Sequence, residues 1–82
     1  MIIDHDADLP PYVQLAAYLR AEIQSGRIAP RRPIPSVEFL KQETGLARNT
    51  IRKAVGLLAA EGLVVVRPGW GTFVVPEDER PR

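Results

Sequence analysis

The 82-residue chain contains no cysteine, a single histidine and a single tryptophan, and it has no long hydrophobic run. Without cysteine it can form neither a disulfide framework nor a thiolate metal site, and the absence suits a reducing cytoplasm, which is the expected location. No apolar run approaches the roughly 18 residues that a membrane span needs. The amino terminus is acidic where a signal peptide would be basic. These absences argue against a disulfide-rich secreted protein and predict no membrane association.

Catalytic machinery is also missing from the sequence. The single histidine, His5, stands between Asp4 and Asp6. These three residues could chelate a metal loosely, although a solvated arm is the simpler interpretation. No nucleophile–base pair, phosphate-binding loop or metal-ligand spacing is present. A chain of 82 residues forms one domain, too small to hold a deep catalytic cleft beside its own core. We therefore predict a non-enzymatic protein without cofactor or metal.

Charge is distributed unevenly along the chain. The formal net charge is only +1, because the first eight residues carry three aspartates and the last six carry three acids against two arginines. Between these ends, residues 9–76 carry nine Lys and Arg side chains against four acids, a formal charge of +5. A basic body favours a polyanionic partner such as nucleic acid. A basic solvated surface is the alternative, which charge alone does not exclude.

Proline and glycine delimit a first helix and a connector. Pro10-Pro11 opens a helix whose apolar residues recur at three- and four-residue spacing, and Ser25-Gly26 ends it. Residues 27–35 contain three prolines, which exclude a helix there. The connector is therefore extended, and Ile34 is placed to pair as a short strand.

A short helix, a glycine-containing turn and a longer helix follow. Ser36 can cap the short helix, and Gly45 ends it after about two turns. The longer helix runs from about Arg48 to Glu61. This outline is typical of a helix-turn-helix.

The third helix separates apolar side chains from basic and amide side chains. Its apolar stripe is Ile51, Ala54, Val55 and Leu58, and the first turns of the other side carry Arg48, Asn49, Thr50, Arg52 and Lys53. In a major groove, arginine can read guanine and asparagine can read adenine by paired hydrogen bonds. An ordinary surface helix with a solvated basic face is the alternative.

A β-hairpin follows the third helix. Two segments, L-V-V-V-R and T-F-V-V, flank the turn P-G-W-G. Three helices and a C-terminal hairpin make a winged helix-turn-helix, which is a mainly α fold with a small β-hairpin. We assign residues 10–75 to this domain, residues 1–9 to a flexible arm and residues 76–82 to a flexible tail. Arg67 and the segment 69–71 would then lie at a neighbouring DNA backbone or minor groove, where glycine permits close approach.

Six blocks of the sequence, taken in order, resemble the DNA-binding domain of the GntR-type bacterial transcription regulators. They are P-x-Y-x-Q from Pro10, S-G-x-I from Ser25, I-P-S from Ile34, G-L-A-R-N-T-I-R-K-A from Gly45, L-L-x-x-E-G-L-V from Leu57 and G-W-G-T-F-V from Gly69. Each block alone is weak. The ordered set is specific, and it covers the chain from Pro10 to about Val75.

The resemblance implies a sequence-specific regulator of transcription that binds double-stranded DNA, with a repressor as the expected type. It implies that the third helix enters the major groove and that the wing lies at the minor groove. The expected DNA-binding residues are Arg48, Asn49, Thr50, Arg52, Lys53, Ser36, Arg67, Gly69, Trp70 and Gly71. Operators of the family are usually palindromes, which implies a homodimer. Family members usually continue into a larger ligand-binding domain, so a small-molecule effector site is not expected in this chain.

Three residues depart from the family's pattern. Glu38 stands where an arginine is usual, so either a phosphate anchor is missing or the acid points elsewhere. Ala47 stands where a serine usually caps the third helix, a loss of about 1 kcal/mol. Trp70 stands at the wing tip, where a basic residue is common. Trp70 could stack on sugar, wedge into a minor groove, pack under the hairpin or contact another protein. A winged-helix protein-interaction module without DNA binding is therefore the alternative function.

Overall fold

Three helices precede one antiparallel hairpin, in the order that the sequence predicts. The structure, a computed structural model, describes residues 3–81. The elements are α1 (Pro11–Gln24), α2 (Val37–Thr44), α3 (Arg48–Ala60), β1 (Val64–Arg67), β2 (Gly71–Val74) and a 3-10 turn (Glu77–Glu79). The winged helix-turn-helix architecture is thereby confirmed.

The core lies mainly between α1 and α3. The apolar stripe predicted for α3 is buried, namely Ile51, Ala54, Val55 and Leu58. In the stripe predicted for α1, Leu15, Ala16, Leu19 and Ile23 are buried and Tyr12 is half-buried. Leu40 of α2 and the turn residue Leu46 join the same cluster, as does Val74 of β2. Because this cluster takes one face of α3, the opposite face of that helix is left for solvent or a partner.

Local hydrogen bonds define the helix-turn-helix. The Ser36 side chain accepts a hydrogen bond from the Phe39 amide at 3.1 Å, as predicted for a helix cap. Gly45 ends α2 with a φ of 73°, a left-handed conformation that favours glycine. The Thr44 hydroxyl donates to the Leu40 carbonyl at 2.7 Å and accepts from the Leu46 amide at 3.1 Å. Ala47 precedes α3 without a side-chain cap, also as predicted.

The connector between α1 and α2 pairs with the wing. The Ile34 amide donates to the Thr72 carbonyl at 2.8 Å, next to an isolated bridge between Pro33 and Phe73, so the connector pairs with the wing at Ile34 without the predicted short strand. The Arg31 amide donates to the Val74 carbonyl at 2.9 Å, and the Val74 amide donates to the Arg32 carbonyl at 2.9 Å. β2 therefore lies between β1, its partner in the antiparallel hairpin, and the connector.

Both ends of the described chain contact the domain. The Gln14 side-chain amide donates to the carbonyls of Asp4 and Leu9 at 2.7 and 2.8 Å. Its oxygen accepts from the Asp4 amide at 2.8 Å. At the other end, the Arg80 side chain donates to the Val75 carbonyl at 3.0 Å. The predicted arm and tail also include residues 1, 2 and 82, which lie outside the described residues.

An ion pair joins α1 to the residue that ends α3. Arg20 donates through Nε and Nη2 to the two carboxylate oxygens of Glu61, at 2.7 and 2.5 Å. The hydrogen bonds from Arg20 hold the pKa of Glu61 below its usual value of 4.5. Because the folded state lowers this pKa, the stabilisation is complete above the usual value and is lost as the pH falls through the folded value.

Replacing Glu61 by glutamine is expected to reduce stability at pH 7 by less than about 1 kcal/mol, because both side chains are partly exposed. The difference from the parent protein should shrink as the pH falls below the usual glutamate pKa. Chemical denaturation from pH 7 to pH 3 measures it. The exposed Glu77, which has no ion pair among the described residues, supplies the control Glu77→Gln. A difference that stays constant over this pH range would contradict the prediction.

Candidate nucleic-acid interface

The start of α3 presents most of the predicted DNA-binding side chains on one exposed face. Arg48, Asn49, Arg52 and Lys53 are exposed, and Thr50 is half-buried. Ile51 lies among these residues in the sequence but is buried, because helical periodicity turns the apolar stripe toward α1. The face is therefore available to a groove of DNA without disturbing the core.

A cleft of about 630 Å³ lies between α3, the start of α2 and the wing. It brings together four of the predicted site residues, Ser36, Arg52, Trp70 and Gly71. The remaining lining is mostly apolar and comprises Pro33, Ile34, Pro35, Val37, Val55, Gly56, Val66 and Thr72. Ser36 is exposed at the N-terminus of α2, where backbone N–H groups and the helix dipole favour an anion. The cleft thus combines a cation, a helix N-terminus and an indole.

The wing tip is a tight turn that carries Trp70 outward. The Trp70 amide donates to the Arg67 carbonyl at 2.9 Å, and Gly69 has a φ of 78°. A left-handed glycine after Pro68 is what a type II turn requires. Trp70 is 81% exposed, so it is not a packing residue beneath the hairpin. Gly71 follows at a φ of 126° and begins β2.

Two of the predicted DNA-binding cations have partners within the protein. Arg48 Nη1 lies 2.5 Å from Glu38 Oε1. The Lys53 ammonium lies over the ring of Tyr12 on α1, 4.1 Å from its centroid, in a cation–π contact. Arg52 and Arg67, in contrast, have no carboxylate within salt-bridge distance among the described residues. The charges of Arg52 and Arg67 are therefore the most readily available to an anionic partner.

The departure at Glu38 has a structural outcome that sequence reasoning left open. Glu38 points toward the start of α3, where it pairs with Arg48. Sequence patterning offered no signal for this contact, because the two residues are ten positions apart on two different helices. The stacking of Lys53 on Tyr12 was missed for the same reason, since it joins α3 to α1.

Neither a metal site nor a membrane span stands out in the part of the chain that the structure describes. Residues 3–81 contain no group of three or more potential metal-ligating side chains that could hold an ion. No helix among those residues is long and apolar enough to cross a bilayer.

Comparison with known proteins assigns this geometry to a family. The model of the family described as "Bacterial regulatory proteins, gntR family" matches residues 11–74. The chain belongs to the GntR family. The match covers all three helices and both strands, so the GntR domain contains the complete winged helix-turn-helix. The family is one of transcription regulators and not of enzymes.

The relatives of this GntR domain include longer regulators and a DNA-binding domain that has been crystallised with its operator. MocR of Rhizobium meliloti, named a probable rhizopine catabolism regulatory protein, is 36% identical over 74 residues, which are 90% of this chain and 15% of MocR. The transcriptional repressor NagR of Bacillus subtilis is 35% identical over 74 residues, 90% of this chain and 30% of NagR. The DNA-binding domain of AraR, in a crystal structure with operator ORX1, superposes with a TM-score of 0.85 at 35% identity.

The fraction of each relative that the chain covers shows which part of a GntR regulator it corresponds to. The superposition with the AraR domain covers 92% of this chain and 95% of the AraR chain, so the two correspond over almost their full lengths. This chain spans less than a third of MocR or NagR. The chain therefore corresponds to the DNA-binding domain of a GntR regulator.

Proposed function

We propose that this GntR domain recognises a specific double-stranded DNA operator and acts as a repressor of transcription. The observation that carries the proposal is the cleft. It gathers a helix N-terminus, the wing tip and Arg52, which has no ion pair among the described residues, beside the exposed start of α3. A single strand of a duplex, lying in the cleft, would meet all three. AraR, whose domain superposes on this chain, has been crystallised with operators ORX1 and ORR3.

In the proposed complex the start of α3 enters the major groove. That groove is about 12 Å wide and admits one α-helix. Arg48 and Arg52 would donate to guanine, and Asn49 would bond an adenine edge. Thr50 and Lys53 would contact the flanking backbone, with Lys53 leaving the face of Tyr12 or reaching past it. The exposure of Arg48, Asn49, Arg52 and Lys53 on the face of α3 that points away from the core supports these assignments.

The wing and the start of α2 supply the remaining contacts of the proposal. Ser36 and the neighbouring N–H groups would hold a phosphate at the mouth of the cleft. Gly69 and Gly71 would allow the wing backbone to approach a minor groove, with Arg67 beside them. The exposed indole of Trp70 would stack on sugar or wedge between base steps, as apolar side chains do in minor grooves.

The biological setting is part of the proposal. NagR is named as a repressor, and that name supports the same mode of action here. A palindromic operator would require two copies of the domain, so we propose a homodimer on DNA. The protein would act where bacterial operators are, in the cytoplasm. Because the cleft faces the proposed DNA path, we assign it to DNA and not to a small-molecule effector.

Selection of bound sequences from a random pool of duplex DNA tests the proposal directly. We expect enrichment of a palindromic motif, with half-sites about one helical turn, or a multiple of it, apart. Affinity for the selected operator should fall steeply with salt, since phosphate contacts release counterions.

A pool that stays unenriched, with no duplex binding at moderate salt, would overturn this function. Such a result would favour the protein-interaction alternative, in which Trp70 at the wing tip contacts another protein. A non-palindromic motif would retain the DNA-binding function and overturn the homodimer.

A further inference from the structure

The ion pair between Glu38 and Arg48 joins the two helices of the helix-turn-helix at their DNA-facing ends. Glu38 is in the first turn of α2, and Arg48 is the first residue of α3. The side chains remain 64% and 48% exposed, with Nη1 and Oε1 only 2.5 Å apart. The contact therefore lies on the surface where the proposed operator would approach.

Stability does not explain this pair. An exposed ion pair contributes little to the free energy of unfolding. Glu38 is also favoured at its position without Arg48, because the first turn of a helix attracts negative charge. The pair does, however, place the Glu38 carboxylate against one terminal nitrogen, Nη1, of the Arg48 guanidinium. Arginine has five N–H donors in a planar fork, so the donors that do not face Glu38 stay available.

We propose that Glu38 is a positioning residue that directs Arg48 to a guanine edge and away from phosphate. This inference rests on the proposed function. A phosphate that approached Arg48 would also approach the Glu38 carboxylate, and two anions on one guanidinium repel each other. The O6 and N7 atoms of guanine are neutral acceptors and escape most of that repulsion. Arg48 is thus selective for a base. Arg52, which has no acid within salt-bridge distance in the described part of the chain, can bind a base or a phosphate.

The same arrangement lowers binding to DNA of arbitrary sequence. Contacts to phosphate supply nearly all of non-specific affinity. Glu38 offsets one positive charge on the face that carries Arg48, Arg52 and Lys53. This loss of attraction to phosphate applies to every duplex, but only the operator offers Arg48 a guanine contact that offsets it. Glu38 therefore widens the ratio between operator and non-operator affinity.

The test compares Glu38→Gln with the parent protein on the selected operator and on a scrambled duplex. Glutamine keeps the shape of the side chain and removes its charge. We expect tighter binding to scrambled DNA, with a log–log salt slope steeper by about 0.9, which corresponds to about a fourfold greater loss of affinity between 50 and 200 mM salt. Discrimination against replacement of the contacted guanine should fall about tenfold.

The matched control is Glu43→Gln, an equal charge change at an exposed position of the same helix that has no ion pair among the described residues. It should leave discrimination unchanged. Equal thermal unfolding temperatures of the variants exclude a folding defect.

If the parent protein binds its operator but Glu38→Gln keeps the same salt slope and discrimination, this inference fails and the proposed function stands. Parallel loss of affinity for both duplexes would also overturn it, because a merely structural residue gives that result. If the parent protein binds no duplex at all, the proposed function fails as well.

Discussion

Alanine at both Arg48 and Arg52 is expected to lower operator affinity at least about thirtyfold, because each bidentate arginine–guanine contact contributes about 1–3 kcal/mol. Both residues lie on the exposed face of α3, away from the buried stripe. The domain should therefore keep its fold. Affinity measured by fluorescence anisotropy at several salt concentrations, together with circular dichroism of the variant, separates loss of contact from loss of structure.

The single variants should differ in a way that follows from the ion pairs. Arg52 has no acidic partner among residues 3–81, whereas Arg48 is already paired with Glu38. On a scrambled duplex, where Arg52 can bind phosphate, Arg52→Ala should therefore reduce the salt slope by about 0.9, and Arg48→Ala should reduce it less. On the operator, Arg48→Ala should relax base preference more. Lys41→Ala is the matched control, because Lys41 is an exposed cation that does not line the cleft and has no ion pair among the described residues. Unchanged affinity and slope in the double variant would overturn the assignment of α3 as the recognition helix.

The largest effect on stability is expected at Leu58. Its side chain is fully buried in the cluster formed mainly by α1 and α3. Leu58→Ala removes buried methyl groups and leaves a cavity, and such changes cost about 2–5 kcal/mol. In a domain of this size, that loss lowers the melting temperature by about 10 °C or more.

The neighbouring leucine provides the control. Leu57 has the same side chain but is only partly buried, so Leu57→Ala should lower the melting temperature clearly less. Thermal and urea unfolding of the two variants measure the difference. Equal losses of stability at the two positions would contradict the conclusion that the packing of α1 on α3 forms the main part of the core.

Local sequence signals were sufficient to predict the three helices and the hairpin, but not the 3-10 turn at Glu77–Glu79. Pro11 and Gly45 act on their own backbone, and the period of Ile51, Ala54, Val55 and Leu58 determines which face of α3 is buried. The cap at Ser36 also needed only the three residues that follow it. These features involve neighbours in the chain, so a sequence reveals them without knowledge of the tertiary fold.

The partners of the charged side chains were not predictable in the same way. Glu38 meets Arg48 only because α2 and α3 pack with their N-terminal ends adjacent, and Lys53 meets Tyr12 only because α3 packs on α1. Gln14 holds the backbone of Asp4 because the arm folds back over α1. Each contact depends on packing between elements, which periodicity does not specify. The candidate DNA-binding face was thus predicted as a set of residues, but its electrostatics were not.

The pairing of the connector with β2 has a consequence for how a duplex would be read. The Ile34 amide is bonded to the Thr72 carbonyl only two residues before Ser36 begins the helix-turn-helix, so hydrogen bonds hold the wing to the segment that leads into α2. The distance between the wing and the phosphate-binding start of α2 is accordingly set before DNA arrives, and little conformational entropy remains to be lost on binding. A duplex whose adjacent grooves do not match that distance must bend or change groove width at its own energetic cost. The domain would then be selective for DNA shape, and base pairs that no side chain contacts would affect its affinity for an operator.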